Sequence, residues 1–211
     1  MAIDMEENKR LFIEAYNKFV KRDGAQELLE WIEKSDFFEA PASSKFHLDV
    51  PGGLCEHSLN VCKNLKRLVD MEKQLHPELN IGMDKIVICG LLHDLCKANF
   101  YGVDYRNVKN EEGKWEKVPY YVTNEQDPWG HGEKSVMLIL RHMQLDDDEI
   151  CAINWHMGGF DERVKGGATK SISAAYEKYP LAVLLQAADF IASYIDESRG
   201  WYDKGSWIRR R

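Results

Sequence analysis

Leu91-Leu92-His93-Asp94-Leu95-Cys96-Lys97 decides how the rest of this chain is read. His93 and Asp94 are adjacent in a helical context, and neighbouring helix positions diverge by about 100°, so both side chains can still reach one metal ion. Lys97 is four residues after His93 and three after Asp94, which sets a cation on the same face, next to any anion held there. A His-Asp dipeptide arises by chance in roughly one ordinary chain in several, so its partners elsewhere carry the weight.

The bulk properties narrow the class. With 211 residues, 44% of them hydrophobic, the chain can bury one substantial core. One domain over residues 1–211 is expected, with a helical extension (1–50), a metal-binding core (51–197) and a surface tail (198–211) holding two tryptophans and a triple arginine. The net charge of −7 argues against a surface devoted to phosphate-backbone contacts, although a local basic cleft is compatible with it. The first twenty residues are charged throughout, and no apolar run approaches the roughly 20 residues that span a bilayer. A cytoplasmic protein without membrane contact is expected. Five cysteines, an odd number without a secretion signal, are expected to be reduced and mostly buried.

Outward from the central stretch, the chain reads as helical. Residues 4–21 carry Leu11, Phe12, Ala15, Tyr16 and Phe19 at helical spacing until Gly24 interrupts, and residues 25–34 form a second, shorter helix. Pro41, Pro51 and Gly52-Gly53 mark residues 35–53 as an irregular connection. A third helix over 54–75 carries His57, Val61, Leu65, Leu68 and Val69 on one face. Asp84 is expected to cap a helix over 85–97 whose apolar middle makes it central. Further helices are expected over 132–143, from an Asp146 cap to His156, and from Pro180 through Ile195, with a glycine-rich loop over 158–167.

The exception lies around residues 104–122. Arg106-Asn107-Val108-Lys109, the turn Asn110-Glu111-Glu112-Gly113, and Lys114-Trp115-Glu116-Lys117-Val118 read as a β-hairpin projecting from the end of the His-Asp helix. The fold class is therefore all-α, a helical bundle with a small β-hairpin insertion.

Candidate ligands fall at element ends. His57 lies near the start of the third helix, His131 precedes one in Trp129-Gly130-His131-Gly132-Glu133, and His156 ends one in Asn154-Trp155-His156. Asp189 sits in the apolar stretch Leu185-Gln186-Ala187-Ala188-Asp189-Phe190, where a carboxylate is costly unless paired or coordinated. His47, His76 and His142 read as surface or loop residues, and Cys96 as packing, turned away from the Asp94 face. Imidazole and carboxylate donors together suit iron, manganese, zinc or magnesium, and the cysteines are not arranged as a tetrahedral zinc site.

The order His57, His93-Asp94, Asp189 on a helical chain resembles the HD-domain superfamily of metal-dependent phosphohydrolases over roughly residues 51–197. The additional His131 and His156 resemble its two-metal members. The resemblance implies one divalent ion on His57, His93, Asp94 and Asp189, and a second on Asp94, His131 and His156, with iron, manganese or zinc as the cofactors. Lys97 matches a lysine that many relatives carry three residues after the aspartate, which makes Asp94 and Lys97 the catalytic candidates. Cys96 stands where glycine is usual, a departure that leaves the ligands untouched. Gly53-Leu54-Cys55-Glu56-His57 is similar to bacterial exoribonucleases of the superfamily, which carry a separate nucleic-acid-binding module; no such module is expected within these 211 residues.

The resemblance thus implies hydrolysis of a phosphomonoester or phosphodiester by a metal-activated water, on a small nucleotide-like substrate in preference to extended nucleic acid. Two alternatives stay open: a di-iron oxygenase of the same superfamily, and a metal-stabilised binding module without turnover. Lys97, Glu56 and Glu133 are candidates for the leaving-group acid, Glu133 also reading as a helix-start charge facing water. Tyr101, Tyr105, Arg106 and Lys109 in the hairpin could contact substrate, as could Arg163 and Lys165 in the glycine-rich loop. The hairpin reads as a substrate lid or, alternatively, as the arm of a homodimer.

Overall fold

The computed structural model describes residues 3–198; residues 199–211 of the expected tail lie outside the described residues. It is a helical bundle with one two-stranded antiparallel sheet, as expected. Helix α1 (Met5–Phe19) begins at Asp4, whose side chain accepts the Glu7 amide at 3.1 Å. Helix α2 (Ala25–Lys34) follows a turn through Gly24, and the Tyr16 hydroxyl donates to the Ala25 carbonyl at 2.8 Å across that corner. In the same corner Arg22 reaches both carboxylate oxygens of fully buried Glu149 at 2.6 Å, fastening this extension to a later helix. Such a pair offsets the cost of burying a carboxylate, and removing the arginine would leave that cost uncompensated.

The connection over residues 35–52 is irregular but packed. Phe37 is fully buried against Phe12, and the Leu54 and Gly52 amides donate to the Ala40 and Glu39 carbonyls. Helix α3 (Gly53–Leu75) then runs the length of the bundle against α4 (Met83–Leu92), every residue of which from Ile86 to Leu92 is buried. Each fully buried large aliphatic side chain there contributes about 1.5–3 kcal/mol.

The expected helix over 85–97 is corrected. Helix α4 starts from Gly82 and ends at Leu92, and Asp94 (φ −102°, ψ 21°) leaves the helical region before a 3-10 turn at Leu95–Lys97. Asp84 lies inside α4 and pairs with Arg22 at 3.2 Å in place of capping. The break turns His93 and Asp94 out of the apolar helix toward one another's partners.

Strands β1 (Tyr101–Lys109) and β2 (Trp115–Thr123) pair in register from Tyr101 opposite Thr123 to Lys109 opposite Trp115. Helix α5 (His131–Leu140) follows, then α6 (Asp147–Trp155), where Asp146 is the cap and its amide donates to Glu149 at 2.7 Å. The glycine-rich stretch is more ordered than a loop: a 3-10 turn (Gly158–Phe160) and the four-residue α7 (Glu162–Lys165) occupy it. Helix α8 (Thr169–Lys178) leads to α9 (Pro180–Ile191), which widens into a π-helical turn at Ala192–Asp196. Helix α9 packs between α3 and α6, and α6 against α5. No helix among the described residues is long and apolar enough to cross a membrane.

Two glycines set the helix approaches that matter most. A Cβ on Gly90 would lie 2.5 Å from the Cys62 Cα, so α4 meets α3 backbone to backbone. A Cβ on Gly132 would lie 2.3 Å from the Asn154 carbonyl oxygen, so the start of α5 meets the end of α6 in the same way.

Candidate metal centre

Six side chains from four helices and the break after α4 converge. His57 comes from the second turn of α3, His93 and Asp94 from the end of α4, His131 from the first position of α5, His156 from the end of α6, and Asp189 from the last turn of α9. Helix ends suit this task because their last residues leave the intrahelical pattern and face inward across the bundle.

Asp94 sits between two sets of imidazoles. Its Oδ2 lies 3.5 Å from both His57 Nε2 and His93 Nε2, and its Oδ1 lies 2.7 Å from His131 Nε2 and 3.5 Å from His156 Nε2. Asp189 Oδ1 stands 3.4 Å from His57 Nε2 and accepts the Ser193 hydroxyl at 3.1 Å. Ligand atoms of His57, His93 and Asp94, of His93, His156 and Asp189, and of Asp94, His131 and His156 each lie within 4.8 Å of one another.

Three of the four imidazoles are fixed from behind. His93 Nδ1 donates to the Gly90 carbonyl at 3.0 Å, His156 Nδ1 to the Ile153 carbonyl at 2.6 Å, and His57 Nδ1 to Glu197 at 3.0 Å. A proton on each Nδ1 leaves a lone pair on each Nε2, the arrangement that metal-ligating histidines use. The consequences are visible in the geometry: His57 Nε2 and His93 Nε2 face each other at 3.2 Å, and buried His156 Nε2 has no hydrogen-bond partner. The fourth, His131, has the Cys96 sulfur 3.3 Å from its Nδ1.

The charge balance points the same way. Asp94, Asp189 and Glu197 bring three carboxylates into the interior, against one fixed ammonium, Lys97, whose Nζ is 2.6 Å from Asp94 Oδ2. Burial opposes ionisation of Asp94, yet Lys97 and His93 hold its carboxyl well below the usual range. Asp189 is likewise held low against burial, by His57. Burial also opposes charge on His57, and Glu197 with Asp189 outweighs it, raising the imidazole to about 10, so positive charge is favoured there and a cation on Nε2 would take the place of the ring's second proton. Lys97 is pushed upward by Asp94 against its own burial, so it stays charged. Lone pairs aimed at one another beside an excess of buried carboxylate fit divalent cations.

Two residues were missed in the sequence. His47, read as a loop residue, stacks near His57 with ring centroids 4.8 Å apart, its Nε2 3.9 Å from Glu197, and burial lowers it to about 4. Glu197, beyond α9, is delivered by the π-helical turn, its amide donating to the Ala192 carbonyl at 2.9 Å. Neither has a periodic signal, since one lies in an irregular connection and the other just past an apolar helix. Cys96 is buried as expected but touches His131, and burial pushes its thiol up to about 12.

Other candidates fall nearby or apart. Arg163 lines a cavity of about 230 Å³ beside His131, but its guanidinium donors are taken by Asp161, Asn154 and Glu133. Glu133 therefore does not simply face water: it pairs with Arg163 at 2.6 Å. Glu56 accepts from the Asn8 amide at 2.6 Å. Exposed Lys165 pairs with Glu162 and does not line that cavity. Tyr101 leans on the bundle, its hydroxyl 3.5 Å from the Ala42 carbonyl, whereas Tyr105 and Arg106 extend outward in the hairpin. A larger cavity of about 1110 Å³ lies elsewhere, between the end of α3 and the starts of α6 and α9, and includes none of the cluster.

Residues 54–193, more than half of the chain, match the family model for the HD domain, and the chain belongs to that family. Among curated proteins, a 78-residue stretch is 31% identical to the dihydroneopterin 2',3'-cyclic phosphate phosphodiesterase of Methanocaldococcus jannaschii, covering 37% of this chain and 28% of that protein. A 154-residue stretch is 28% identical to ribonuclease Y of Mycoplasmoides gallisepticum, covering 68% of this chain and 23% of that protein. The chain thus spans about a quarter of the length of these relatives. No solved structure matches it.

Proposed function

We propose that the protein is a metal-dependent phosphohydrolase with a two-ion centre, cleaving a phosphomonoester or phosphodiester in a small, nucleotide-like substrate. The observation that carries this reading is the division of Asp94, one carboxylate oxygen facing His57 and His93 and the other facing His131 and His156. In this reading His57, His93, Asp94 and Asp189 hold one ion and Asp94, His131 and His156 the other, and iron, manganese or zinc suits the donor set. Divalent ions bound there supply charge neutralisation at phosphoryl oxygens and a nucleophilic water near neutral pH. The names of the two relatives, a cyclic phosphate phosphodiesterase and a ribonuclease, support phosphoester hydrolysis as the reaction class.

The chain's own groups have separate tasks. Hydrogen bonds from Nδ1 of His57, His93 and His156 to Glu197, Gly90 and Ile153 hold the rings in advance, so little reorganisation is left for the reaction. Lys97, only 13% exposed, keeps a positive charge against Asp94 where a phosphoryl oxygen can meet it. With Glu56 turned to Asn8 and Glu133 to Arg163, Lys97 is the remaining acid candidate beside the cluster.

Metal analysis after reconstitution with manganese, iron or zinc, followed by a panel of phosphomonoesters and phosphodiesters, tests this. About two ions per chain and turnover of a phosphoester are expected. Asp94→Ala should abolish turnover and weaken both ions. At most one ion after reconstitution, or a fully active Asp94→Ala protein, would overturn the two-ion assignment.

A further inference from the structure

The hairpin has two chemically different faces. Directly paired residues share a face in an antiparallel sheet, so the register fixes which side chains stand together. One face presents Tyr101, Tyr105, Lys109, Trp115, Lys117 and Tyr121, and its four remaining positions are uncharged. It carries two ammonium groups, four aromatic rings and no carboxylate. The other face mixes signs, with Asp104 and Glu116 beside Arg106. Carboxylates are otherwise plentiful in a chain of net charge −7, so their absence from one whole face is a local property.

Ring and cation alternate along that face. Lys109 sits 5.2 Å from the centroid of Trp115, and Lys117 sits 5.3 Å from that of Tyr105. Near the bundle, Tyr101 and Tyr121 stand edge to face at 6.2 Å. Trp115 is 68% exposed and Tyr105 54%, although neither strand packs extensively on a helix to require those rings. Tyr101 opens β1 four residues after Lys97, whose ammonium meets Asp94, so the row of rings begins beside the metal centre and runs outward. From Tyr101 to Lys109 the strand spans roughly 27 Å at about 3.3 Å per residue. That length accommodates about four nucleotides, the lower end of single-strand binding sites.

We infer that this lysine–aromatic face is a binding platform for single-stranded nucleic acid, stacking successive bases on Tyr105 and Trp115 while Lys109 and Lys117 meet the phosphates, and directing the strand toward the metal centre. The inference rests on the phosphohydrolase reading and extends its substrate class from a single nucleotide to a strand. The physical match is specific to that ligand. Bases offer flat faces to rings whatever their sequence, and the backbone offers one anion per nucleotide to ammonium groups that already lie over the rings. The expectation that extended nucleic acid is disfavoured rests on net charge, which the asymmetry of the hairpin overrides locally.

The test is fluorescence anisotropy with a labelled 12-nucleotide oligo(dT), alongside a duplex of the same length, from 50 to 200 mM NaCl. The single strand should bind in preference to the duplex. Trp115→Ala and Tyr105→Ala should each weaken it by about fivefold to a hundredfold, and Tyr120→Ala, which removes a ring from the other face, should stay within about twofold of the parent. Lys109→Gln with Lys117→Gln should reduce the slope of log affinity against log salt by about 1.4. No binding at 50 mM NaCl, unchanged affinity in the Trp115 and Tyr105 variants, or an equal loss in Tyr120→Ala overturns the platform. A shift from dimer to monomer in the ring variants with unchanged oligonucleotide affinity also overturns it, and assigns the face to contact between copies. Turnover of bis(p-nitrophenyl) phosphate is measured on the same parent preparation. Turnover without oligonucleotide binding sinks the platform alone, and binding without turnover of any phosphoester sinks the hydrolase reading alone.

Discussion

Gly90→Ala separates close helix packing from helix propensity, because the two predict opposite signs. The added Cβ would lie 2.5 Å from the Cys62 Cα, 2.7 Å from its Cβ and 3.1 Å from its amide nitrogen, where ordinary contact begins at 3.4 Å. The nearest partner is backbone and cannot rotate away, so α3 and α4 must part by about 0.9 Å, the difference between 3.4 and 2.5 Å. Overpacking of this kind costs about 1–3 kcal/mol, and a backbone collision belongs at the upper end. Replacing a helical glycine by alanine returns about 1 kcal/mol, leaving a net loss of about 2 kcal/mol. At roughly 2–4 °C per kcal/mol for a chain of this size, Tm should fall by about 4–8 °C in differential scanning calorimetry. The same displacement moves His57 on α3 relative to His93 after α4, so metal affinity measured by chelator competition should fall with it. A Tm that is unchanged or raised would refute the packing argument, since propensity alone predicts a gain.

Two further outcomes follow from the centre itself. Glu197→Gln removes the charge behind His57 while keeping an acceptor for its Nδ1, and should weaken zinc or manganese by about tenfold to a hundredfold in competition with a chromophoric chelator; unchanged affinity would reduce Glu197 to packing. His131→Ala should lose one ion of about two per chain with the far-ultraviolet circular dichroism unaltered, because its side chain is about a third exposed and holds no helix in position. Retention of both ions would remove His131 from the ligand set.

Much of this was legible in the sequence because it depended on periodicity and on residues whose cost demands a partner. The 3.6-residue pattern identified α1, α2, α3 and α9 within a few residues, and the unbroken apolar run over 86–92 identified the buried α4. Asp189 stood out because an aspartate among Leu, Ala and Phe has no cheap solution in a core. The end of α4 was misread because nothing in Leu92-His93-Asp94 signals a stop: no proline or glycine intervenes, and the break is imposed by tertiary contacts such as the Cys96 amide donating to the Ser135 hydroxyl at 3.0 Å. His47 and Glu197 were missed for a related reason. Their approach to His57 depends on a packed irregular connection and on a π-helical turn, and neither leaves a period to read. Similarly, Arg163 looked free in its loop because only folding brings Asn154 and Glu133 to its donors.

The centre is assembled from two packing interfaces that have little else in common. His57, His93 and Asp189 depend on the junction of α3, α4 and α9, where Gly90 permits the closest approach; His131 and His156 depend on the meeting of α5 and α6, where Gly132 does. Asp94 belongs to the turn between them, and the hydrogen bond from Cys96 to Ser135 ties that turn to α5. One carboxylate therefore reports the alignment of both halves, since each oxygen is addressed from a different interface. A disturbance confined to α5 and α6 should act on the Oδ1 side and leave the His57–His93 contact of 3.2 Å intact, whereas one at Gly90 should act on the Oδ2 side first. The two halves can thus be damaged separately, which is why the loss of His131 is expected to cost one ion and the loss of Asp94 both.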